Sequence, residues 1–276
     1  MASDRSSEAG KPVLVSDPQQ VARIEAENTL RQFDVAMAEL DAWIKDSKYR
    51  LRPSKVMELN RIALERLSEY AGTNRPGGIK ITGSHHIPPD ASQVQALMED
   101  LCDYIDDNFA EANAIHLAAY TLWKINWIHP FVDGNGRTAR VVSYIVMCAK
   151  IGSRLPGTKT IPDQIATDKK PYYLALEAAD AAFKDGRVDV SAIEALIDRH
   201  LAVQLLDIHE SAAGKGAVDR SAVPDAIQAH VPVRPNRKTS VRWTRHIETH
   251  PVLYGLIGAI VVAVLTVIVP IFLGRP

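Results

Sequence analysis

The stretch HPFVDGNGRTAR, His129 to Arg140, lies between two apolar helical segments and dictates how they can be joined. Upstream, Ala112 to Trp127 repeats apolar side chains at Ile115, Ala118, Ala119, Leu122 and Ile125 or Trp127, the three-and-four spacing of a helix. Pro130 stops that helix, because proline disfavours helical geometry in the residue before it. A second apolar helix resumes at about Arg137 and runs through Val141, Val142, Ile145 and Val146. Gly134, Asn135 and Gly136 therefore form a loop whose backbone N–H groups point out at the start of a buried helix. Unpaired donors at a positive helix end are an anion site. Arg137 and Arg140, three residues apart, project from one face of the first turn, and a guanidinium fork matches phosphate oxygens. Asp133 suits Mg²⁺, which favours one or two carboxylates plus substrate phosphates. His129, beside this anion pocket, can take a proton near neutral pH. Base, metal ligand and cradle together point to chemistry on a polyphosphate.

HPFVDGNGRTAR matches every position of HPFx[D/E]GNGRxxR, the signature of the Fic family, and the chain resembles that family over about residues 53 to 205. The resemblance implies an all-α fold, a Fic-type helical bundle with a short β-hairpin flap, that transfers AMP from ATP to a hydroxyl side chain of a target protein with Mg²⁺ as cofactor. By the same resemblance His129 deprotonates the target hydroxyl and Asp133 holds Mg²⁺. Asn135 and the Gly134 and Gly136 backbone cradle the phosphates, Arg137 and Arg140 bind the β- and γ-phosphates, and Phe131 plugs into the core. The family's flap falls at Ile79-Lys80-Ile81, which alternates like a short strand. An exposed strand edge there can pair with an extended target segment and bring its hydroxyl over His129. Tyr172 or Tyr173 stands where the family places an aromatic beside adenine, with core packing an equal alternative. Fic proteins often carry an inhibitory helix, [S/T]xxxE[G/N], whose glutamate pairs with the motif's last arginine. VARIEAENTLRQF is similar in two degenerate registers. Glu25 is flanked by Val21 and Ala26; Glu27 has Asn28 in place but Arg23 at the hydroxyl position. Both stay open, as does reading them as ordinary surface glutamates.

The formal charge of −1 gives no global basic field, so no nucleic-acid partner is expected. Cys102 and Cys148 fall within apolar helical patterns and read as buried reduced thiols. His85 and His86 lack a third ligand at metal spacing and read as exposed or lightly bonded loop histidines.

The chain divides into a disordered polar N-terminus (1–16) without an apolar leader segment, a helical extension (17–50) opened by Ser16-Asp17-Pro18, and a catalytic domain (51–208). Within that domain the sequence predicts a helix from Pro53 to near Gly72 and a loop-rich crossover after Gly152. A flexible basic linker (209–250) and a transmembrane helix (251–273) follow. Val252 to Leu273 carries no charge and reaches about 33 Å as a helix, enough for a hydrocarbon core of about 30 Å. Arg234, Arg237, Lys238, Arg242 and Arg245 precede it and only Arg275 follows, which places the catalytic domain in the cytoplasm, with the anchor in the inner membrane of a bacterial host. Gly255 and Gly258 are spaced GxxG rather than GxxxG, which leaves a homodimer open. The expected partners are ATP, a hydroxyl-bearing target protein and the lipid bilayer through residues 252–273. Two alternatives keep the cradle: a transferase using another diphosphate donor (UTP, CDP-choline), and a membrane-anchored nucleotide-binding regulatory module that transfers nothing.

Overall fold

The computed structural model describes residues 7–8 and 13–212. The described residues are almost entirely helical. Helix α1 (Pro18–Lys45) starts where Asp17 accepts a hydrogen bond from the Gln20 amide at 3.1 Å, with Pro18 preset for the first turn. Its inward face, Ile24, Asn28, Gln32, Ala36, Leu40 and Trp43, recurs at helical spacing. The two amides in that face have a task. Asn28 donates to the carbonyls of Ala63 (3.3 Å) and Glu65 (2.8 Å), and Gln32 to that of Leu59 (3.0 Å). The Ala63 and Glu65 carbonyls lie at the C-terminal end of helix α2 (Pro53–Leu64), beyond the reach of its own amides, and that of Leu59 lies one turn earlier. Helix α2 consequently stops at Leu64 rather than near Gly72, and Arg66 reverses the chain with φ 64°.

A 3-10 turn (Ala91–Gln93) leads into α3 (Val94–Asn108). The central hairpin is α4 (Ala114–Ile128) against α5 (Asn135–Ile151). Both are buried over most of their circumference, so they pack as core elements with α1, α2, α3 and α8 around them. Helix α5 begins at Asn135, two residues ahead of the expected start. The crossover predicted as loop contains α6 (Ile161–Thr167), capped by Thr160 and held by Gln204, whose Oε1 accepts from the Ile161 amide at 3.1 Å. Helices α7 (Lys169–Lys184) and α8 (Ser191–Ala212) complete the domain, α8 extending past the expected boundary at 208. Cys102 and Cys148 are buried free thiols, and burial pushes them up to about 12 and about 11.

The predicted β-hairpin is replaced by a different pairing. Strand β2 is only Lys80–Ile81, leaving Ile79 outside it, and its antiparallel partner is β1, Ser7–Glu8, from the stretch predicted as disordered. Two features deny β2 a partner within its own loop. The chain turns at once, with Ser84 N–H donating to the Ile81 carbonyl at 3.2 Å and Gly83 at φ 73°. The outgoing limb then ends in Pro88 and Pro89, which have no N–H to give. Among the described residues no helix is long and apolar enough to cross a membrane, and the apolar run 252–273 and the linker beyond Ala212 lie outside them.

Candidate active site

Helix α4 ends on His129, which takes the left-handed conformation (φ 51°, ψ 58°) usually left to glycine. That turn aims the chain, and the imidazole with it, into a cleft of about 460 Å³ rather than along the helix. The Nδ1 of His129 lies 3.3 Å from the Asn126 carbonyl, which can only accept, so Nδ1 carries the proton in the neutral ring and Nε2 is the basic nitrogen. Burial pulls the imidazole down from its ordinary value to about 4, helped by the charges of His86 and Arg75 and opposed by the Asn126 bond and Asp133. The ring is thus held as the free base.

The following loop is fixed by Asn135. Its side chain mimics a peptide, accepting from the Phe131 N–H at 2.9 Å and donating to the Phe131 carbonyl at 2.8 Å. Asn135 is buried, and its side-chain amide staples the loop. Phe131 is fully buried in the core. Gly134 (φ 74°) starts α5, which has no side-chain N-cap, so its first amides face the cleft as a ready anion site. Asn60 holds this turn from α2, donating to the Asp133 carbonyl (3.0 Å) and accepting from the Gly72 amide (3.1 Å). No local pattern in the sequence pointed to Asn60. A Cβ on Gly134 would lie 3.0 Å from the Asn60 amide nitrogen. Gly134→Ala, combining that contact with a positive φ, is expected to cost about 2 kcal/mol. Scanning calorimetry should show the melting temperature falling by several degrees; an unchanged value would refute the strain assignment.

His129, Asp133, Gly134, Asn135, Gly136, Arg137 and Arg140 line one wall of the cleft, Tyr172 and Tyr173 another, and Ile81 of the flap a third. The Fic/DOC family model matches residues 50–147, a span that contains α4, the loop and most of α5. Residues 50–147 are thus similar to the Fic/DOC family. Similarity beyond the signature is distant. Over 121 residues the chain is 28% identical to "Protein adenylyltransferase Fic" of Drosophila willistoni, and over 123 residues 31% identical to that of Drosophila mojavensis. Each match covers 43% of this chain and 24% of the relative, so the alignment spans about a quarter of the length of these proteins. The fold is that of solved Fic structures. One from Desulfovibrio desulfuricans matches with TM-score 0.52 at 19% identity, covering 75% of this chain and 57% of that one. Fic-1 from C. elegans gives 0.52 at 21%, covering 69% and 53%, and a Fic protein of Bacteroides thetaiotaomicron 0.54 at 21%, covering 69% and 74%.

The two candidate glutamates of α1, which precedes the matched span, are told apart by position. Glu25 lines the cleft, and its carboxylate accepts from Arg137 at 3.1 Å. Arg137 is the first of the two motif arginines. Glu27 faces elsewhere, pairing with Arg66 and, at 3.3 Å, with Arg23. Tyr172 is buried and Tyr173 half-buried, their rings 5.5 Å apart.

Two residues not counted among the candidate site residues belong to the cleft's frame. His85 is exposed, but the His86 side chain is buried in the cleft, its Nε2 donating to the Trp127 carbonyl at 2.7 Å and its Nδ1 3.7 Å from Asp180. Asp180 in turn accepts from the Trp123 indole at 2.9 Å. The flap is thus fastened to α4 and α7. Arg75, buried, donates from Nε to the His129 carbonyl at 2.9 Å, from one terminal nitrogen to Gly77 at 2.7 Å and from the other to Pro89. Its own N–H donates to the Pro130 carbonyl at 2.8 Å. The only hint in the sequence was an arginine in a glycine- and proline-rich stretch.

The depressed His129 also sets a pH dependence of stability. An unfolded chain protonates this histidine near 6.5, the folded one near 4. Its contribution is therefore intact above about pH 6.5 and lost as pH falls to about 4, amounting to about 3 kcal/mol. Urea titrations at neutral and at acid pH, run in parallel on His129→Gln, should show a flatter acid fall in the variant. Parallel falls would mean that His129 titrates normally.

Proposed function

We propose that the domain is a protein adenylyltransferase that moves AMP from ATP to a hydroxyl side chain of a target protein. The observation that carries this reading is one cleft holding a buried neutral imidazole and the uncapped start of α5 flanked by Arg137 and Arg140. The amides of the α5 first turn and the two guanidiniums hold the β- and γ-phosphates, which leaves the α-phosphorus toward His129. Nε2 of His129 takes the proton of the incoming hydroxyl, its oxygen bonds to the α-phosphorus, the anhydride bond to the β-phosphate breaks, and pyrophosphate leaves. Asp133, a single carboxylate beside the anion loop, fits Mg²⁺, which prefers few protein ligands and several phosphate or water oxygens. Bound there, the ion would neutralise phosphate charge. Tyr172 and Tyr173 supply the flat surfaces for adenine.

The second reading, another diphosphate donor such as UTP or CDP-choline, is favoured by one fact. The charged side chains around the anion loop address phosphates, and the tyrosine wall offers flat surfaces that suit more than one base. A module that binds nucleotide without transfer is the third. The uncharged run Val252 to Leu273 further supports a membrane tether with the domain on the cytoplasmic side. Partition of the chain into detergent or alkaline-extracted membranes tests that. Incubating the purified full chain and a cell lysate with ATP labelled on its α-phosphate tests the chemistry. Label on protein, absent with His129→Ala, supports adenylyl transfer. Label only from UTP or a choline-bearing donor selects the second reading, and none from any donor leaves the binding module.

A further inference from the structure

Inside the cleft two hydrogen-bond acceptors stand close together. Nε2 of His86 donates to the Trp127 carbonyl at 2.7 Å, so Nδ1 of the neutral ring presents a lone pair. It lies 3.7 Å from Oδ2 of Asp180, beyond hydrogen-bonding distance, so imidazole and carboxylate stand side by side without a shared proton. The Trp123 indole, bonded to Oδ1 at 2.9 Å, fixes the carboxylate's rotation. Both side chains are mostly buried and both line the cleft. Among the described residues no donor reaches Nδ1 or Oδ2 within hydrogen-bonding distance. Acceptors taken out of water need donors in exchange. One nitrogen carrying two hydrogens can serve both.

Position says whose nitrogen it is. On α7 the cleft-lining residues Lys169, Tyr172, Tyr173, Leu176 and Asp180 recur at three and four and form one stripe, which Asp180 ends about 6 Å beyond Leu176. His86 comes from the flap on the other side, so the acceptor pair bridges the flap and the helix that carries the tyrosines. A flat base lying along that stripe turns an edge to the pair. We infer that His86 and Asp180 read the exocyclic amino group of the donor's base, which gives one hydrogen to each. This rests on the nucleotidyl-transfer reading above and narrows it. A base with a keto oxygen at the same place would set a third acceptor against the pair and leave all three without a hydrogen. Of the donors considered above, ATP and CDP-choline carry the amino group and UTP does not. Arg137 and Arg140 hold phosphates whatever the base; the pair chooses the base.

The test measures binding rather than transfer. Titration calorimetry on the purified full chain with Mg²⁺, with and without Glu25→Ala, compares ATP with inosine triphosphate, whose base has oxygen in place of the amino group. The expected result is that ATP binds at least about tenfold more tightly. In Asp180→Asn the indole, a donor only, holds the amide oxygen, so the amide nitrogen turns its hydrogens toward the base. The preference for ATP should then vanish or reverse, with circular dichroism showing the fold intact. Equal binding of the two nucleotides by the native chain overturns the proposal and needs no variant. A preference that survives Asp180→Asn also overturns it, since the pair would then only clasp the flap to α7. Label on protein from α-labelled ATP keeps the transferase reading in both of those cases. The expected preference without transfer of label to any protein overturns that reading and leaves the base selection standing. Failure of both nucleotides to bind overturns the two together.

Discussion

His129→Ala should lower transfer at least about a hundredfold, the usual worth of a positioned general base, while ATP binding persists. The separation follows from the structure. The imidazole hangs from the end of α4, whereas the phosphate cradle is built by the first turn of α5 and held by Asn135 and Asn60. Calorimetry should therefore give a dissociation constant for ATP close to the parent's when transfer has vanished. Loss of both together would mean that His129 supports the loop instead of acting as base. On the proposed transfer activity, the parent chain should also keep the acid limb of kcat/KM below the ordinary imidazole range, since burial pulls the free imidazole to about 4. A bound polyphosphate raises it, because a nearby anion favours the imidazolium, so the limb of kcat should lie at higher pH than that of kcat/KM.

Glu25→Ala should act in the opposite direction, tightening ATP and raising transfer by about tenfold, or about 1.4 kcal/mol. The Glu25–Arg137 pair is partly exposed, with the carboxylate 45% and the guanidinium 21% accessible, so it adds little to stability. On the proposed transferase reading its weight is functional. It engages a guanidinium needed for phosphate and puts a carboxylate where phosphate charge must come. Glu27→Ala is the control, since Glu27 pairs with Arg66 and Arg23 away from the cleft and its loss should leave ATP affinity unchanged. Equal behaviour of the two variants would remove the inhibitory role from Glu25.

The site was legible where its chemistry is local. Twelve consecutive residues supply the base, the carboxylate, the turn glycines and both arginines, and helix periodicity on either side placed them on α4 and α5. What escaped was non-local. Asn60 and Arg75 reach the motif across long stretches of chain, and a lone asparagine or arginine does not announce the carbonyls it will meet. His86 read as exposed or lightly bonded because a loop histidine usually is, and the fold brings Trp127 and Asp180 to it. The hairpin expectation failed for a similar reason, since a strand of two residues takes whichever partner the tertiary structure supplies. Asn135 lies inside the signature, yet its part in the loop came from a peptide-like geometry that residue type alone does not reveal.

Arg75 has one more consequence. By gripping Gly77 and Pro89 it ties the neck of the flap shut, and by gripping His129 and Pro130 it welds that neck to the catalytic turn. The loop-closure entropy is settled within the free protein instead of being charged to each encounter. Residues between the two neck positions can then change without disturbing where the imidazole stands. Such a division lets selection rewrite which acceptors are admitted while the reaction centre is inherited intact.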